Sequence, residues 1–313
     1  MRYILKKAGV MLITLLIISL LAFLAFEIIP ADPVDVILGT DYTPERAEAL
    51  REELGLNVPM VNRYFNWLLG FFGGELGISY GYRMPVSELL EGKVFVTACL
   101  SAIAFVLVVI ISIPVGIFLA RFRGGIVDRV FSVLNQISMS IPPFFIGILF
   151  TSIFGLAMRL FIVGDFKSFQ DDPAAFFTYL FFAALAIAIP KSAMTVKLLR
   201  SSIINEMNAD YVRTARSRGN APGGLLWRHV LRNSMLPVIT FLAVTLADIV
   251  AGSIIIEQVF TIPGIGRMLI MSIGNRDHPV VLAIIMLISA LVLFVNFLAD
   301  VAYQYIDPRI RLE

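Results

Sequence analysis

The feature that most constrains this chain is the recurrence of apolar runs long enough to cross a lipid bilayer. Six segments, 8–29, 94–120, 131–162, 176–190, 236–256 and 280–303, carry almost no charge. At 1.5 Å of rise per residue, about 20 helical residues cross a hydrocarbon layer about 30 Å thick. Inside that layer each backbone amide must be satisfied within its own segment, so continuous apolar runs of this length predict helices. Composition agrees: of 313 residues, 58% are hydrophobic and only 15% charged, and mean hydropathy is +0.87. The predicted fold class is therefore an all-α integral membrane protein with six transmembrane helices. The fourth run is short by itself, and it is expected to continue through the MTVKLLR string as a helix emerging into the cytoplasm. The first run follows Arg2, Lys6 and Lys7 and is too long for a signal-peptide core, so it reads as a retained span.

Orientation follows from the loops, because Lys and Arg near span ends stay on the cytoplasmic side. Residues 191–233 hold eight Lys and Arg against Glu206 and Asp210. Arg121, Arg123 and Arg129 lie between the second and third spans, and Arg309 and Arg311 lie beyond the last. These segments, and both termini, are expected inside. Residues 32–91 instead hold ten acidic residues and four arginines, and the stretch with Asp165, Asp171 and Asp172 also leans acidic, so both are expected outside. The predicted organisation is an N-terminal span over 1–29, an extracytoplasmic helical cap over 30–93, and a core over 94–313 with a cytoplasmic segment at 191–235.

The outer segment is patterned as two amphipathic helices. Thr43 is suited to cap the first, with Pro44 at its first position, Ala47, Leu50 and Leu54 on one face, and Gly55 at its end. The second starts after Asn57 and Pro59, with Val61, Tyr64, Phe65, Leu68 and Phe72 on its stripe. They can form a cap over the outer mouth or a connector lying on the bilayer. Pro142 and Pro143, followed by Gly147, predict a kink or break in the third span. In EQVFTIPGIGR, Pro263, Gly264 and Gly266 fit either a re-entrant segment or a surface turn.

The cytoplasmic segment reads NADYVRTARSRGNAPGGLLWRHVLRNSMLPVIT. Two short helices are predicted: one capped by Asn208 and stopped at Gly219, the other starting after Asn220 with Pro222 in its first turn. Tyr211 and Ala215 share a face, and Arg213, Arg216 and Arg218 decorate the rest. Charge alone is met equally by the positive-inside tendency or by contact with anionic headgroups.

The DYVRTARSRG string, the following RHVLRN and the Leu236-Pro237 pair resemble the cytoplasmic signature of ATP-binding-cassette importer permeases. The chain is similar in particular to the dipeptide, oligopeptide and nickel branch. The resemblance continues in order through PADPVD, LREELGL, ELGISY, MPVSELL, SIPPFFIG, VFTIPGIGR and DPRIR, and so covers essentially the whole chain. It departs from the wider importer signature, which opens Glu-Ala-Ala, because Arg213, Thr214 and Ala215 stand there. The resemblance implies the type I importer permease fold in a prokaryotic plasma (inner) membrane. It implies transport of peptides, or of nickel chelates or glutathione, together with a second homologous permease subunit, two cytoplasmic ATPases and an extracytoplasmic binding protein. Asp210, Tyr211, Arg213, Thr214, Ala215, Arg216, Arg218 and Gly219 would then meet the ATPase groove. ATP and magnesium would reside on the partners, since the sequence has no GxxxxGK[ST] string.

Asp248, near the middle of the fifth span, is the leading intramembrane charge. It can face the pathway and meet cationic substrate groups, or pair with a polar group of a partner chain. Pro142, Pro143, Pro263 and Gly264 are the other pathway or gate candidates. Glu27 and Glu257 lie near outer span ends, where they can snorkel. An ion-coupled secondary transporter would need several intramembrane charges or an inverted repeat, and neither is evident. His229, His278 and Cys99 have no neighbours at metal-ligand spacing, no catalytic group is evident, and a net charge of +2 gives no reason to expect nucleic acid.

Overall fold

A computed structural model describes residues 2–28, 33–219 and 222–306. The described residues are helical throughout apart from turns and one isolated bridge, Ile78 to Pro85. They fall into two compact units, 1–96 with 263–294 and 97–262 with 295–313.

The first unit begins with α1 (Arg2–Ile28), whose Leu12, Ile13, Ile17 and Leu21 are exposed, as suits a helix solvated by lipid. After α2 (Pro33–Leu38) and a single 3-10 turn comes α3 (Pro44–Glu53). Thr43 caps α3 as expected, accepting from the Arg46 amide at 3.3 Å, and Gly55 leaves the helix at φ +66°. In α4 (Met60–Gly73) the buried stripe is rotated from the predicted one. Leu68 is buried, and Tyr64 and Trp67 pack their rings on Phe23 of α1, while Val61, Phe65 and Phe72 stand exposed. Tyr64 and Leu68 keep the predicted face, and the Trp67 ring, drawn onto Phe23 of α1, replaces Val61, Phe65 and Phe72 there. The Tyr64 and Ser19 hydroxyls are bonded at 2.8 Å, and Arg63 pairs with Glu27.

In the same unit α5 (Val86–Leu90), α13 (Ile265–Gly274) and the first half of α14 (His278–Ile306) share a core of Val86, Leu90, Ile265, Met268, Val280 and Ile284. Buried Asp277 accepts from the Ser79 hydroxyl and from the amides of Tyr80 and Gly81 at 3.1 Å each, fixing the 77–85 loop to the start of α14.

The second unit is built on α6 (Lys93–Arg121), α7 (Ile126–Ser140), α8 (Pro143–Phe150), α9 (Pro173–Met207) and α12 (Leu231–Val259). The third apolar run is not a straight span: α7 and α8 meet at a 97° bend at Pro142 and Pro143. The two prolines supply no amide to continue the ladder, so the break was legible. Among the described residues, five helices are long and apolar enough to cross a bilayer, or six with this bent pair counted as one. Gly147 of α8 sits against α12, where a Cβ would lie 3.2 Å from the Phe260 ring.

The fourth run does continue into the MTVKLLR string, and α9 is one helix of 35 residues started by Asp172, which accepts from the Ala175 amide at 3.0 Å. Its buried face carries Ala183, Ala184, Ala186, Ala188 and Ala193, small side chains that let neighbouring backbones approach. Near its N-terminal end Tyr179 donates to the Phe260 carbonyl at 2.5 Å and accepts from the Gly164 amide at 3.1 Å. Glu257 does not snorkel. It is fully buried and accepts from the Thr97 hydroxyl at 2.5 Å, because a carboxylate facing helices inside the unit needs a donor more than it needs solvent.

Candidate functional site

α9 ends at Met207 and the chain turns at once into α10 (Asp210–Ser217), within the segment expected on the cytoplasmic side. Asn208 is not the cap of α10. It closes α9 in helical backbone and donates from its side chain to the Ile204 carbonyl at 3.1 Å. Ala209, in extended backbone, takes the cap position without a side-chain bond, and a helix that needs only two turns tolerates that loss. Gly219 ends α10 at φ +83°, a conformation that disfavours any side chain. Asn220 lies outside the described residues.

The buried residue of α10 is Val212, whereas Asp210, Tyr211, Arg213, Thr214, Arg216 and Arg218 are exposed and Ala215 is partly covered. Tyr211 is the tie. Its hydroxyl donates to Glu206 of α9 at 2.6 Å and accepts from the Asn233 side chain of α12 at 3.2 Å. Partial burial, and then the bond to Glu206, push the Tyr211 phenol above its ordinary range. Arg213 reaches Asp210 only at 3.5 Å, so the basic face stays presented.

The second predicted short helix is not separate. A turn at Pro222–Leu225 (α11) runs through a π-helical turn at Leu226–Val230 directly into α12, giving one helix over 223–259. Leu225 and Val230 are buried at its base, so the apolar pattern of the loop and that of the span form a single stripe. Pro237 lies inside this helix and is tolerated there. The Ser202 hydroxyl donates to the Ser234 carbonyl at 3.0 Å, fixing α9 and α12 to each other at this level.

Deeper in the unit, Lys191 of α9 donates to Asp248 of α12 at 2.8 Å. Lys191, counted above among the cytoplasmic cations, is thus tied to the acid of the fifth apolar run. It follows Pro190 in mid-helix rather than at a helix end. The Asp248 side chain keeps 55% of its exposure and that of Lys191 21%. A second pair, Arg200 with Asp128, is bidentate at 2.8 and 2.7 Å, and Asp128 also accepts from the Gly124 amide. The sequence reading missed both partners. A lone acid and a lone base on two apolar helices are a signal for each other, and Lys191 and Asp248 fit it. Pro142 and Pro143 form the bend in this unit. Pro263 and Gly264 belong to the other, where Gly264 starts α13 after the tight turn at 260–263, with Pro263 exposed and Gly264 buried.

Long apolar helices, a bent helix pair, an ion pair between two of the long helices and a short basic helix hung between the same two fit a transporter's membrane subunit. The chain belongs to the family of binding-protein-dependent transport system inner membrane components, whose model matches residues 112–312, with the corresponding N-terminal model matching 1–101. It is 32% identical over 309 residues to a probable peptide ABC transporter permease protein of Sinorhizobium fredii, covering 99% of both chains. It is 34% identical to a putative peptide permease protein of Brucella suis, covering 100% of this chain and 99% of that one. To the oligopeptide transport system permease protein AppB of Bacillus subtilis it is 30% identical, covering 99% of both. An inward-facing structure of the MetNI methionine ABC transporter shares the fold with a TM-score of 0.53 at 18% identity, covering 70% of this chain and 96% of that one. The protein is a multi-pass permease subunit of an ABC importer with the type I importer fold. As in its family, it works with a substrate-binding protein and with ATP hydrolysis on a separate subunit.

Proposed function

We propose that the chain forms half of a translocation path for peptides, paired with a second homologous permease and served by two cytoplasmic ATPases, with both of its termini in the cytoplasm. The observation that carries the coupling role is α10, a basic helix tied by Tyr211 to two long helices at once. A displacement of α10 would be passed to α9 and α12 through these two bonds, which suits alternating access. Asp210, Arg213, Thr214, Ala215, Arg216, Arg218 and the Gly219 stop would face the ATPase groove. Peptide as substrate rests on what the relatives are named for. Nickel chelates and glutathione are the competing cargoes that the same branch suggests.

A half-exposed carboxylate at mid-span costs about 2.5–3.5 kcal/mol or more against hydrocarbon, so Asp248 and Lys191 would face the path rather than lipid. Pro142, Pro143, Pro263 and Gly264 would shape its gates. Reconstitution of the assembled importer with labelled dipeptides and oligopeptides in proteoliposomes tests the cargo: ATP-dependent accumulation is expected, and uptake of nickel or glutathione but no peptide rejects it. Reversing charge at Arg213 and Arg216 is expected to lower ATPase co-purification at least tenfold, and unchanged recovery rejects the coupling role.

A further inference from the structure

Trp227 is 63% exposed on the 223–259 helix, and no contact of the unit accounts for it. Its neighbours Leu225, Leu226 and Val230 are buried, so the large ring is turned away from the core rather than left over from it. Two environments on the cytoplasmic side of a membrane protein welcome an exposed tryptophan: the lipid headgroup belt and a protein partner. Depth separates them. The last charged residue before the apolar run is Arg232, and Ser234, bonded to Ser202 of α9, lies at the start of that run. Trp227 precedes Ser234 and Leu236 by seven to nine residues, which at 1.5 Å each is about 10–14 Å along the helix. The headgroup layer of one leaflet is about 5–8 Å thick. A typical tilt of about 20° shortens the separation by only about a twentieth. Helical side chains also lean toward the N-terminus, which here points away from the bilayer.

From this placement we infer that Trp227 is a second anchor for the cytoplasmic ATPase, inserted in an apolar pocket beside the groove that receives α10. The inference rests on the coupling role proposed above and extends it to a residue outside α10. Arg228 and His229, both exposed next to the ring, give the surface the same basic character as Arg213, Arg216 and Arg218, so the ATPase face opposite should be acidic around an apolar hole. Tryptophan and arginine are the side chains that most often concentrate binding energy at such contacts.

The chain has only two tryptophans, so Trp67→Phe with 5-fluorotryptophan labelling of this chain alone, assembled with unlabelled second permease in nanodiscs, leaves Trp227 as the single fluorine reporter. Adding unlabelled ATPase subunits is expected to shift the resonance and shield it from a soluble gadolinium chelate, while headgroup-labelled nitroxide lipid leaves it sharp. Broadening by that lipid before ATPase is added, or a resonance indifferent to bound ATPase, overturns the inference. Trp227→Ala is expected to weaken ATPase binding tenfold or more, with Trp227→Phe losing less. If charge reversal on α10 abolishes binding while Trp227→Ala keeps wild-type affinity, this inference fails and the coupling role stands. If neither variant weakens binding, both fail.

Discussion

Two ion pairs use the same helix in opposite ways. Arg200 and Lys191 stand nine residues apart on α9, about two and a half turns, and so project from opposite sides. The Arg200 pair is bidentate, supported by a backbone amide, and leaves its carboxylate only 6% exposed. The Lys191 pair has one 2.8 Å contact and leaves its carboxylate more than half uncovered. The first consumes nearly all the hydrogen-bonding capacity of Asp128 and clasps the 121–126 turn to α9. The second keeps lone pairs of Asp248 free for something else. Equal charges, then, do not make equal roles; the number of bonds already made decides which pair is structural.

The strongest way to break that contrast is at Asp128. Asp128→Asn removes the charge that balances Arg200, whose side chain is 28% exposed, so the cost should approach only the lower end of the about 3–5 kcal/mol of a fully buried pair. A large fall in thermal stability in detergent and in membrane yield is expected. Arg200→Lys should recover only part of it, because an ammonium cannot reproduce two parallel bonds. A melting temperature unchanged by Asp128→Asn would remove the structural reading.

Asp248 should respond differently. Asp248→Asn is expected to cost about 1–2 kcal/mol of stability, less than Asp128→Asn, since Lys191 is itself partly exposed and its long stem can reposition. The larger effect should be on transport, with uptake of cationic peptides falling about tenfold more than uptake of neutral ones. Lys191→Met combined with Asp248→Leu should restore stability without restoring that preference. Equal losses for cationic and neutral peptides would mean the pair does not meet cargo.

This contrast marks the limit of what the sequence discloses. Bilayer-length runs declare their helices, two adjacent prolines declare a bend, and Thr43, Pro44 and Gly55 declare the bounds of α3, because each acts within a few residues of itself. Asp248 was visible as a cost, but its partner 57 positions away was hidden because Lys191 was counted with the cations of the 191–233 segment. Asp277 was missed altogether. An acid in a polar turn looks solvated until the fold brings the Ser79 hydroxyl and two amides onto it from almost 200 residues away. At α10 the basic residues were legible from composition and the family resemblance. Val212 as the buried contact and Asn208 as the end of α9 were not, since a two-turn helix has too little periodicity to fix its inward face. Where a role depends on a partner from another helix, local pattern gives the residue and not its use.

A third polar tie on α9 extends the comparison to its weakest member. Glu206 accepts from Tyr211, which remains exposed at the edge of α10, so the bond is partly screened and worth about 0.5–1.5 kcal/mol. Tyr211→Phe should leave the stability of the unit nearly unchanged and lower coupled ATPase activity severalfold at most, as α10 loses its link to both α9 and α12 while keeping Val212. The phenol is raised above its ordinary range, so the folded state holds the proton more tightly than the unfolded chain. The stabilisation is therefore complete below the ordinary tyrosine range and disappears only as pH rises through the elevated folded value. Between pH 6 and 9, the ratio of wild-type to Tyr211→Phe coupling should be flat, and it should fall toward unity above pH 10. A slope in that ratio near neutrality would show that some other titrating group, and not the Tyr211 hydroxyl, holds α10 to the long helices.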